Sequence, residues 1–506
     1  QWRAEYLDWY VAHSSLMADM LPVANTQLGP GSLAAILGGV FEGGEDTIWI
    51  HPDPNFNDEI VFNPEHPNWL LHKELLKACK AKANGNYFVG MPDLMEGLDV
   101  LAALKGTDMV LLDTVMQSEV LEQQMQQIND IYFKVFDELY DIIREGDEMA
   151  FCYFSSWAPG KMSKLQSDIS TMISQDDYRR FVQPFIREQC QKIDYTLYHL
   201  DGVGAMHHLP ALLEIEELNA IQWTPGVGEP QGGSPKWYDL YKKILAGGKS
   251  VMACWVTLEE LKPLLDHIGA DGVHLEMDFH NEREVEQAMR IIEEYTGSSS
   301  SVSADVHTNQ PVGEQDNAQE SIRIREEKSQ EEDRMKPLYD AIVAGKLEPA
   351  VEVTKDAIAA GVLPQDIING YMITAMGEVG QRFQDGKAFV PQLLMAGRAM
   401  KGALELLKPL LAGNASATIG KIVIGTVKGD LHDIGKNLVA SMLEGCGFEV
   451  INIGIDVTCD KFVEAVKENK ADILCMSALL TTTMTYMQDV IRALEEAVSY
   501  THLRAH

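Results

Sequence analysis

The sequence predicts an α/β protein that combines a parallel-stranded barrel with a smaller, doubly wound domain. Over nearly 300 residues, short apolar runs such as MVLLDTV, MAFCYF and SVMACWV alternate with longer segments of helical periodicity. At this length the alternation is typical of an eight-stranded TIM barrel. From Lys421 onward, three shorter units each repeat a strand and then a helix, starting with KIVIGTV, which is typical of a flavodoxin-like Rossmann sheet. In both folds, ligands bind at the carboxyl ends of the strands.

Composition favours a multi-domain protein that acts on a small molecule. A chain of 506 residues is too long for one core at about 150 residues per domain. The formal net charge of -35 argues against a nucleic-acid or anionic membrane surface, because phosphates would be repelled. No segment approaches the ~18 unbroken apolar residues of a membrane span. Seven cysteines at scattered positions suit reduced thiols, so we expect a cytoplasmic protein.

Changes in composition indicate the domain boundaries. We expect a barrel over residues 1–297, a disordered Ser-, Gln- and Glu-rich linker over 298–334, a helical segment over 335–415 and the doubly wound domain over 416–497. The final residues, VSYTHLRAH at 498–506, continue no pattern and resemble translated adapter sequence. The chain starts without Met and stops after three strand–helix units of a fold that normally has five. We therefore expect the barrel to be truncated at its N-terminus and the last domain at its C-terminus.

The segment before the doubly wound domain is predicted to be a small helical bundle. One face of its last helix carries apolar residues every three or four positions, which forms a single buried stripe. The residues of this stripe are Leu393, Ala396, Met400, Leu404 and Leu407.

A polar motif follows the first strand of the doubly wound domain. The turn DLHDIG carries Asp430, His432 and Gly435, and Ser477 opens the segment SALLTTTM at the end of the third strand. All four positions lie at the carboxyl ends of parallel strands, so the pattern predicts a ligand site. A single loop histidine is more often a solvated or hydrogen-bonded structural residue, and only the combination of motif, spacing and fold favours the ligand site.

DLHDIG followed at this interval by SAL resembles the cobalamin-binding domain of methionine synthase and of the corrinoid proteins of methanol and methylamine methyltransferases. The preceding MGEVGQRFQDGKAFVPQLLMAGRAM resembles the helical cap of that family. The resemblance implies that His432 is the lower axial ligand of cobalt, for which imidazole is a suitable donor. It also implies that Asp430 accepts the second ring N–H of His432 and that Thr483 is the hydroxyl member of the same relay.

The same resemblance assigns residues to the slot that receives the displaced nucleotide tail of the cofactor. Gly435 would permit close approach of the tail, and Ser477 and Leu479 would line the slot. The structural alternatives are a tight turn for Gly435 and strand packing for Leu479. A later Gly-Gly of the family falls beyond the end of the domain, so we expect part of the slot to be missing.

The barrel sequence resembles the uroporphyrinogen decarboxylase superfamily, which includes zinc methyltransferases that work beside corrinoid proteins. The resembling stretches are TQLGPGSLAAILGG, SSWAPGKMSKLQSDIS and YTLYHLDG. The resemblance implies a zinc site at His199 and Asp201, with Glu276 as third ligand and Cys254 as a second candidate that is more often a buried core thiol. Asp in place of a family Cys would make the metal a stronger Lewis acid. A metal-free polar pair is the alternative.

Two further positions near this strand end are open to interpretation. Asp168, in SDIS, resembles an acidic substrate-site residue of the family and is a candidate catalytic carboxylate, with a helix N-cap as the alternative. His207 and His208, on the following helix, are expected at the surface.

Together these resemblances imply a cobalamin-dependent methyltransferase of anaerobic one-carbon metabolism. The barrel would hold a small methylated substrate, and the methyl group would move between this substrate and cobalt. A second methyltransferase would deliver the methyl group to a folate or thiol acceptor, and a reductive activase would maintain the corrinoid. The alternatives are a uroporphyrinogen-type decarboxylase barrel fused to a cobalamin carrier and a non-catalytic cobalamin sensor.

Overall fold

A computed structural model of the chain describes most of its residues, and these fall into two compact units, 1–310 and 311–506. The described residues are 2–13, 17, 21–26, 29, 31–43, 48–52, 56–152, 154, 156–226, 228–296, 329–411, 420–430, 434–445, 448–478 and 481–497. Among the described helices, none is long and apolar enough to cross a membrane.

The first unit contains two mainly parallel sheets and one antiparallel hairpin. One sheet has the order β1-β4-β5-β6, the other has the order β11-β10-β9-β8-β7, and β2 pairs with β3. The strands are β1 (Val23–Ala24), β2 (Val40–Gly43), β3 (Ile48–His51), β4 (Phe88–Met91), β5 (Met149–Phe151), β6 (Trp157–Ala158), β7 (Met162–Leu165), β8 (Tyr195–Asp201), β9 (Ala220–Thr224), β10 (Ser250–Ala253) and β11 (Val273–Leu275).

Eight of these strands follow one another in the order that a TIM barrel requires. Strands β1, β4 and β5 are parallel neighbours, β5 lies beside β7, and β7 to β11 are parallel neighbours in chain order. Among the described residues, no backbone ladder joins β5 to β7 or β11 to β1. The closed barrel therefore stays a prediction, whereas the α/β class is observed.

Helices occupy most of the sequence between these strands. They are α1 (Trp2–His13), α2 (Ser32–Ile36), α3 (Pro67–Ala83), α4 (Gly97–Lys105), α5 (Thr107–Met116), α6 (Ser118–Ile143), α7 (Gln175–Phe181), α8 (Gln183–Lys192), α9 (Leu209–Leu213), α10 (Tyr238–Ala246), α11 (Leu258–Ile268) and α12 (Glu282–Thr296). Short 3-10 turns occupy Asp168–Met172, Val203–His208 and Pro235–Trp237. At the start of α11, Thr257 and Glu260 form a capping box, which satisfies backbone N–H groups that have no partner within the helix.

One predicted strand of the first unit is wrong. The run MVLLDTV lies in α5, where Val110, Leu111 and Thr114 are buried at helical spacing. Asp113 is also buried on this helix, and it is paired with Lys105 at 2.5 Å. A short apolar run does not by itself distinguish a strand from a buried helix, and here the spacing of the buried positions is that of a helix.

The second unit consists of a helical bundle followed by a three-stranded parallel sheet. The bundle helices are α13 (Ser329–Val343), α14 (Leu347–Ala359), α15 (Pro364–Ile367), α16 (Ile373–Gln384) and α17 (Val390–Leu411), with a π-helical turn at Ile368–Met372. The predicted apolar stripe of α17 is confirmed, because all five of its residues are buried. The predicted linker 298–334 lies outside the described residues up to 328, and its last residues, 329–334, belong to α13, because this Gln- and Glu-rich stretch consists of good helix formers.

The sheet of the second unit has the order β13-β12-β14, with all neighbours parallel. Its elements are β12 (Lys421–Thr426), α18 (Ile434–Gly445), β13 (Glu449–Asn452), α19 (Cys459–Asn469), β14 (Ile473–Ser477) and α20 (Thr481–Ala497). The chain moves from β12 to one side of the sheet and later returns to the other side. The carboxyl end of β12 beside β14 is therefore a topological switch point, where ligands of doubly wound sheets bind. The predicted tail 498–506 lies outside the described residues.

Candidate functional site

The switch point of the second unit holds a buried carboxylate. Asp430 follows β12 and is fully buried, and the hydroxyl of Thr483 on α20 donates to its Oδ2 atom at 2.8 Å. Two members of the predicted relay are thus in contact across the crevice between the β12 turn and α20. The third member, His432, lies outside the described residues, as does Leu479.

Backbone contacts hold the turn that carries Asp430. The Val427 amide donates to the Ser477 carbonyl at 3.0 Å, and the Asp430 amide donates to the Val427 carbonyl at 3.1 Å. Gly429 adopts a φ of 80°, which favours glycine, and its amide donates to Oδ1 of Asp456 at 2.8 Å. The turn is therefore tied to both neighbouring strand ends, and this fixes the position of the Asp430 carboxylate.

The remaining predicted positions of this site lie at the same edge of the sheet. Ser477 is the last residue of β14 and pairs with Thr426 of β12, and Gly435 is the second residue of α18. A metal-binding histidine usually donates its second ring N–H to a carboxylate, and Asp430 is a buried carboxylate two residues before His432 at a switch point. The described residues therefore fit the cofactor that the sequence resemblance implies.

The sequence analysis did not single out a buried lysine at the other end of this edge. Lys436, in the first turn of α18, is buried, and its Nζ atom donates to Oδ1 of Asn437 at 2.6 Å and to Oδ1 of Asn452 at 2.9 Å. The sequence feature that could have indicated this burial is a lysine in the first turn of a helix that directly follows a sheet strand.

In the first unit, three predicted side chains come together. The ligand atoms of Asp168, His199 and Asp201 all lie within 4.8 Å of one another. His199 and Asp201 are two residues apart on β8, so they point to the same face, and Asp168 follows the adjacent parallel strand β7. Asp168 is the first residue of a 3-10 turn whose N-cap is Ser167, so it does not serve as the cap. One carboxylate from each strand end and an imidazole form a candidate metal site.

Glu276 is not a member of this group, which corrects the predicted third ligand. Among the described residues, the group that could hold a metal contains Asp168 in its place. Glu276 follows β11, three strands away from β8, and its carboxyl group lies near the Cys254 thiol, whose pKa it raises. Glu276 therefore matches the position of a family ligand in the sequence, but in the structure it lies near Cys254 and not near His199.

Burial and neighbouring charges set the protonation of the group. Burial raises the pKa of Asp168 well above its usual range, and the nearby carboxylates of Asp99 and Asp201 raise it further. Burial lowers the pKa of His199, and the Lys164 ammonium acts in the same direction. A neutral imidazole is the form that binds a metal, and a bound cation would offset the repulsion among the carboxylates.

A network of buried charges beneath Asp168 was missed by the sequence analysis. Lys164 is buried on β7, and its ammonium contacts Oδ2 of Asp93 at 2.7 Å and the amide oxygen of Gln166. Gln166 Nε2 donates to Asp168 at 3.0 Å, and both Asp168 and Ile169 donate their backbone N–H groups to Asp99. The signal was a polar residue at every second position, Lys164, Gln166 and Asp168, at the end of β7 and in the segment that follows it.

The surface position expected for the two histidines after β8 is wrong for His208. This residue is 1% exposed, its ring stacks on Tyr178 with centroids 4.3 Å apart, and its Nε2 atom lies 2.8 Å from the Ser170 carbonyl. Burial lowers its pKa to about 4. The 3-10 turn Val203–His208 directs this second histidine inward, which the helical pattern did not predict.

Comparison with known proteins gives matches to the second unit. Residues 420–502 and residues 335–408 match two family models that are both described as a B12 binding domain. Trimethylamine corrinoid protein 1 of Methanosarcina mazei is 44% identical over 160 residues, which are 31% of this chain and 74% of the relative. Dimethylamine corrinoid protein 1 of Methanosarcina acetivorans is 47% identical over 150 residues, 28% of this chain and 70% of the relative.

Solved structures show a similar pattern of coverage. The methanol:cobalamin methyltransferase complex of Methanosarcina barkeri is 33% identical, covers 35% of this chain and 70% of the matched chain, and gives a TM-score of 0.30. A cobalamin-binding protein of Desulfitobacterium hafniense is 34% identical over 32% of this chain and 77% of the matched chain, with a TM-score of 0.28.

Proposed function

The chain belongs to the corrinoid protein family through its second unit, and on this premise we propose that it moves methyl groups between a small substrate in its first unit and cobalamin in its second. Cobalamin is the cofactor, as both B12 binding domain matches indicate. The buried Asp430–Thr483 pair at the switch point is the observation that carries the proposal. It would supply the acceptor for the second ring N–H of His432 if this histidine holds the cofactor.

Each residue of the second site has a defined task in this proposal. When bound, cobalamin supplies a nucleophilic cobalt centre that can accept the methyl group of the substrate. Asp430 would accept one ring N–H of His432 and so fix the tautomer of a histidine that holds the cofactor. Thr483 donates to the Asp430 carboxylate and holds it in place. Gly435, Ser477 and Leu479 would border the slot for the nucleotide tail.

We further propose that the first unit is a closed TIM barrel with a zinc site. Asp168, His199 and Asp201 would hold the metal. There the metal would polarise the heteroatom that carries the methyl group and stabilise the electron pair left on that atom when the methyl group departs. The convergence of the three ligand atoms within 4.8 Å supports this assignment.

Other partners follow from the same chemistry. A second methyltransferase would pass the methyl group to a folate or thiol, and a reductive activase would restore the corrinoid. Two units on one chain raise the effective concentration of each for the other. None of the six cysteines in the described part of the chain forms a disulfide, which supports a cytoplasmic location.

Cofactor binding is tested by electron paramagnetic resonance of the full chain reconstituted with cob(II)alamin. With ring-labelled 15N-histidine, we expect the nitrogen superhyperfine pattern to change from triplets to doublets, because the coordinated nitrogen comes from the protein. His432→Ala should abolish this change, and His199→Ala should preserve it. Triplets that persist in labelled wild-type protein would show that the native base remains coordinated, and the assignment of His432 would then be wrong.

Methyl transfer is tested on the same reconstituted protein after reduction. Methylated amines, methanol and methyl ethers are added separately while the visible spectrum of the corrinoid is recorded. A donor-dependent spectral change that His199→Ala slows by at least tenfold would support the barrel as the substrate site. A cobalamin sensor or a decarboxylase barrel would give no change with any donor.

A further inference from the structure

A buried glutamine connects the candidate metal ligands of the first unit to side chains on the next strands. Gln222 lies within β9 and is fully buried. It pairs directly with His199 of β8, and the residue that follows β10 on its other side is Cys254. A buried amide that loses its hydrogen bonds destabilises the fold, so the partners of this side chain are constrained.

The hydrogen bonds of Gln222 set the direction of its amide. Its Nε2 atom donates to Oγ1 of Thr224 at 2.8 Å and to Sγ of Cys254 at 3.2 Å. Its Oε1 atom, which can only accept, contacts Nδ1 of His199. The proton of a neutral His199 ring therefore resides on Nδ1, and the lone pair of Nε2 remains available to a metal.

The thiol of Cys254 lies between Gln222 and the carboxyl group of Glu276. Burial raises the pKa of Cys254 well above its usual value, and the nearby Glu276 carboxyl group raises it further. The thiol therefore keeps its proton, and its sulfur accepts from Gln222. The Oε2 atom of Glu276 is buried without a hydrogen-bond partner, so this carboxyl group has unused acceptor capacity.

We infer that Gln222, supported by Cys254 and Glu276, is a positioning residue that holds Nε2 of His199 toward Asp168 and Asp201. The inference rests on the metal site proposed above. It assigns Cys254 and Glu276 to the hydrogen-bonded support of a ligand and not to the metal itself. Partners of this kind orient the ring and raise its basicity, and their loss typically weakens metal binding by about 10–100-fold.

The test is Co²⁺ binding to the full chain without corrinoid, followed by the visible d–d bands of the added metal. His199→Ala should remove the bands and so assign them to this site. Gln222→Leu removes all polar atoms at similar volume and should raise the Kd by about 10–100-fold. Gln222→Glu keeps an acceptor for Nδ1 and should restore binding to within about threefold of wild type. Gln189→Leu is the matched control: it is a buried glutamine bonded to Asn129, and its replacement should leave the Kd unchanged.

The outcomes separate this inference from the proposed function. If wild type gives no bands, both the metal site and the positioning role of Gln222 fail. If wild type binds Co²⁺ and Gln222→Leu binds equally well, the metal site stands and the positioning role of Gln222 is wrong. The same conclusion follows if Gln222→Glu binds as weakly as Gln222→Leu. Thermal melting of each variant checks that it is folded.

A second measurement decides the roles of Cys254 and Glu276, and it does so even if Gln222→Leu fails to fold. Glu276→Gln and Cys254→Ser should weaken Co²⁺ binding while leaving the band positions unchanged, because neither side chain is a ligand. A near-ultraviolet thiolate-to-cobalt band that Cys254→Ser removes would overturn the inference, and so would a shift of the d–d bands in Glu276→Gln.

Discussion

Replacing Asp430 by Asn is the sharpest test of the cofactor site. Asn keeps the size of the side chain and an acceptor for the Thr483 hydroxyl, which lies 2.8 Å from the carboxylate, but it removes the charge. A hydrogen bond to a charged group contributes about 1.5–3 kcal/mol, compared with about 0.5–1.5 kcal/mol for a neutral one. Loss of an outer partner of a ligating histidine costs about 10–100-fold in affinity, or about 1.4–2.8 kcal/mol. Exchanging the charged acceptor for a neutral one therefore costs about 1–1.5 kcal/mol, which reaches the lower end of this range, so we expect about a tenfold loss of affinity.

The assay is titration of the full chain with cob(II)alamin, monitored by visible absorption for the Kd and by electron paramagnetic resonance for histidine coordination. Asp430→Asn should raise the Kd and reduce the fraction of cofactor that is coordinated by histidine. Asp472→Asn is the matched control, because Asp472 precedes β14 at the opposite edge of the same sheet, where it accepts from the Lys421 amide at 2.8 Å. A Kd and spectrum of Asp430→Asn equal to those of wild type would refute the relay.

Two other expectations concern stability. Leu407→Ala, in the buried stripe of α17, should lower the free energy of unfolding of the second unit by about 2–5 kcal/mol in denaturant titration, whereas Leu410→Ala, at a position 53% exposed, should change it by less than about 0.5 kcal/mol. Equal effects would contradict the burial of the stripe. Burial raises the pKa of Asp99 from 3.8 to about 6, although the Ile169 and Asp168 amides donate to it. Between these two values the folded chain binds more protons than the unfolded chain, so this group makes stability fall as pH rises from about 4 to 6, by about 3 kcal/mol in total. Asp99→Asn should flatten that slope in unfolding titrations across the same pH range, and an unchanged slope would contradict the prediction.

Local patterns in the sequence predicted the second unit well. The stripe on α17 repeats at helical spacing, and all of its residues are buried. Asp430 and Ser477 each follow a short apolar run, and parallel strands bring such positions to one edge of a sheet. The contact between Asp430 and Thr483 joins residues 53 positions apart, and the family resemblance predicted it where spacing alone would not.

The first unit shows where such patterns are insufficient. The run MVLLDTV is apolar enough for a strand, yet Asp113 and its partner Lys105 fit a helix packed against its neighbours. Glu276 occupies the sequence position expected of a ligand, but it follows a strand three places away from β8 and faces Cys254. Asp168, which was expected to contact substrate, lies with the metal-ligand candidates because its strand is adjacent to β8.

The sequence by itself determined the α/β class, the alternation of strands and helices, the cobalamin motif and the residue types that can bind a metal. These depend on periodicity and on neighbours within a few positions, both of which can be read from the order of the residues alone. Only the tertiary structure decided that the His199 ring meets Gln222 and that Asp168 lies beside Asp201. Such contacts depend on which strands become neighbours and in what register, and this is set by packing across the whole domain.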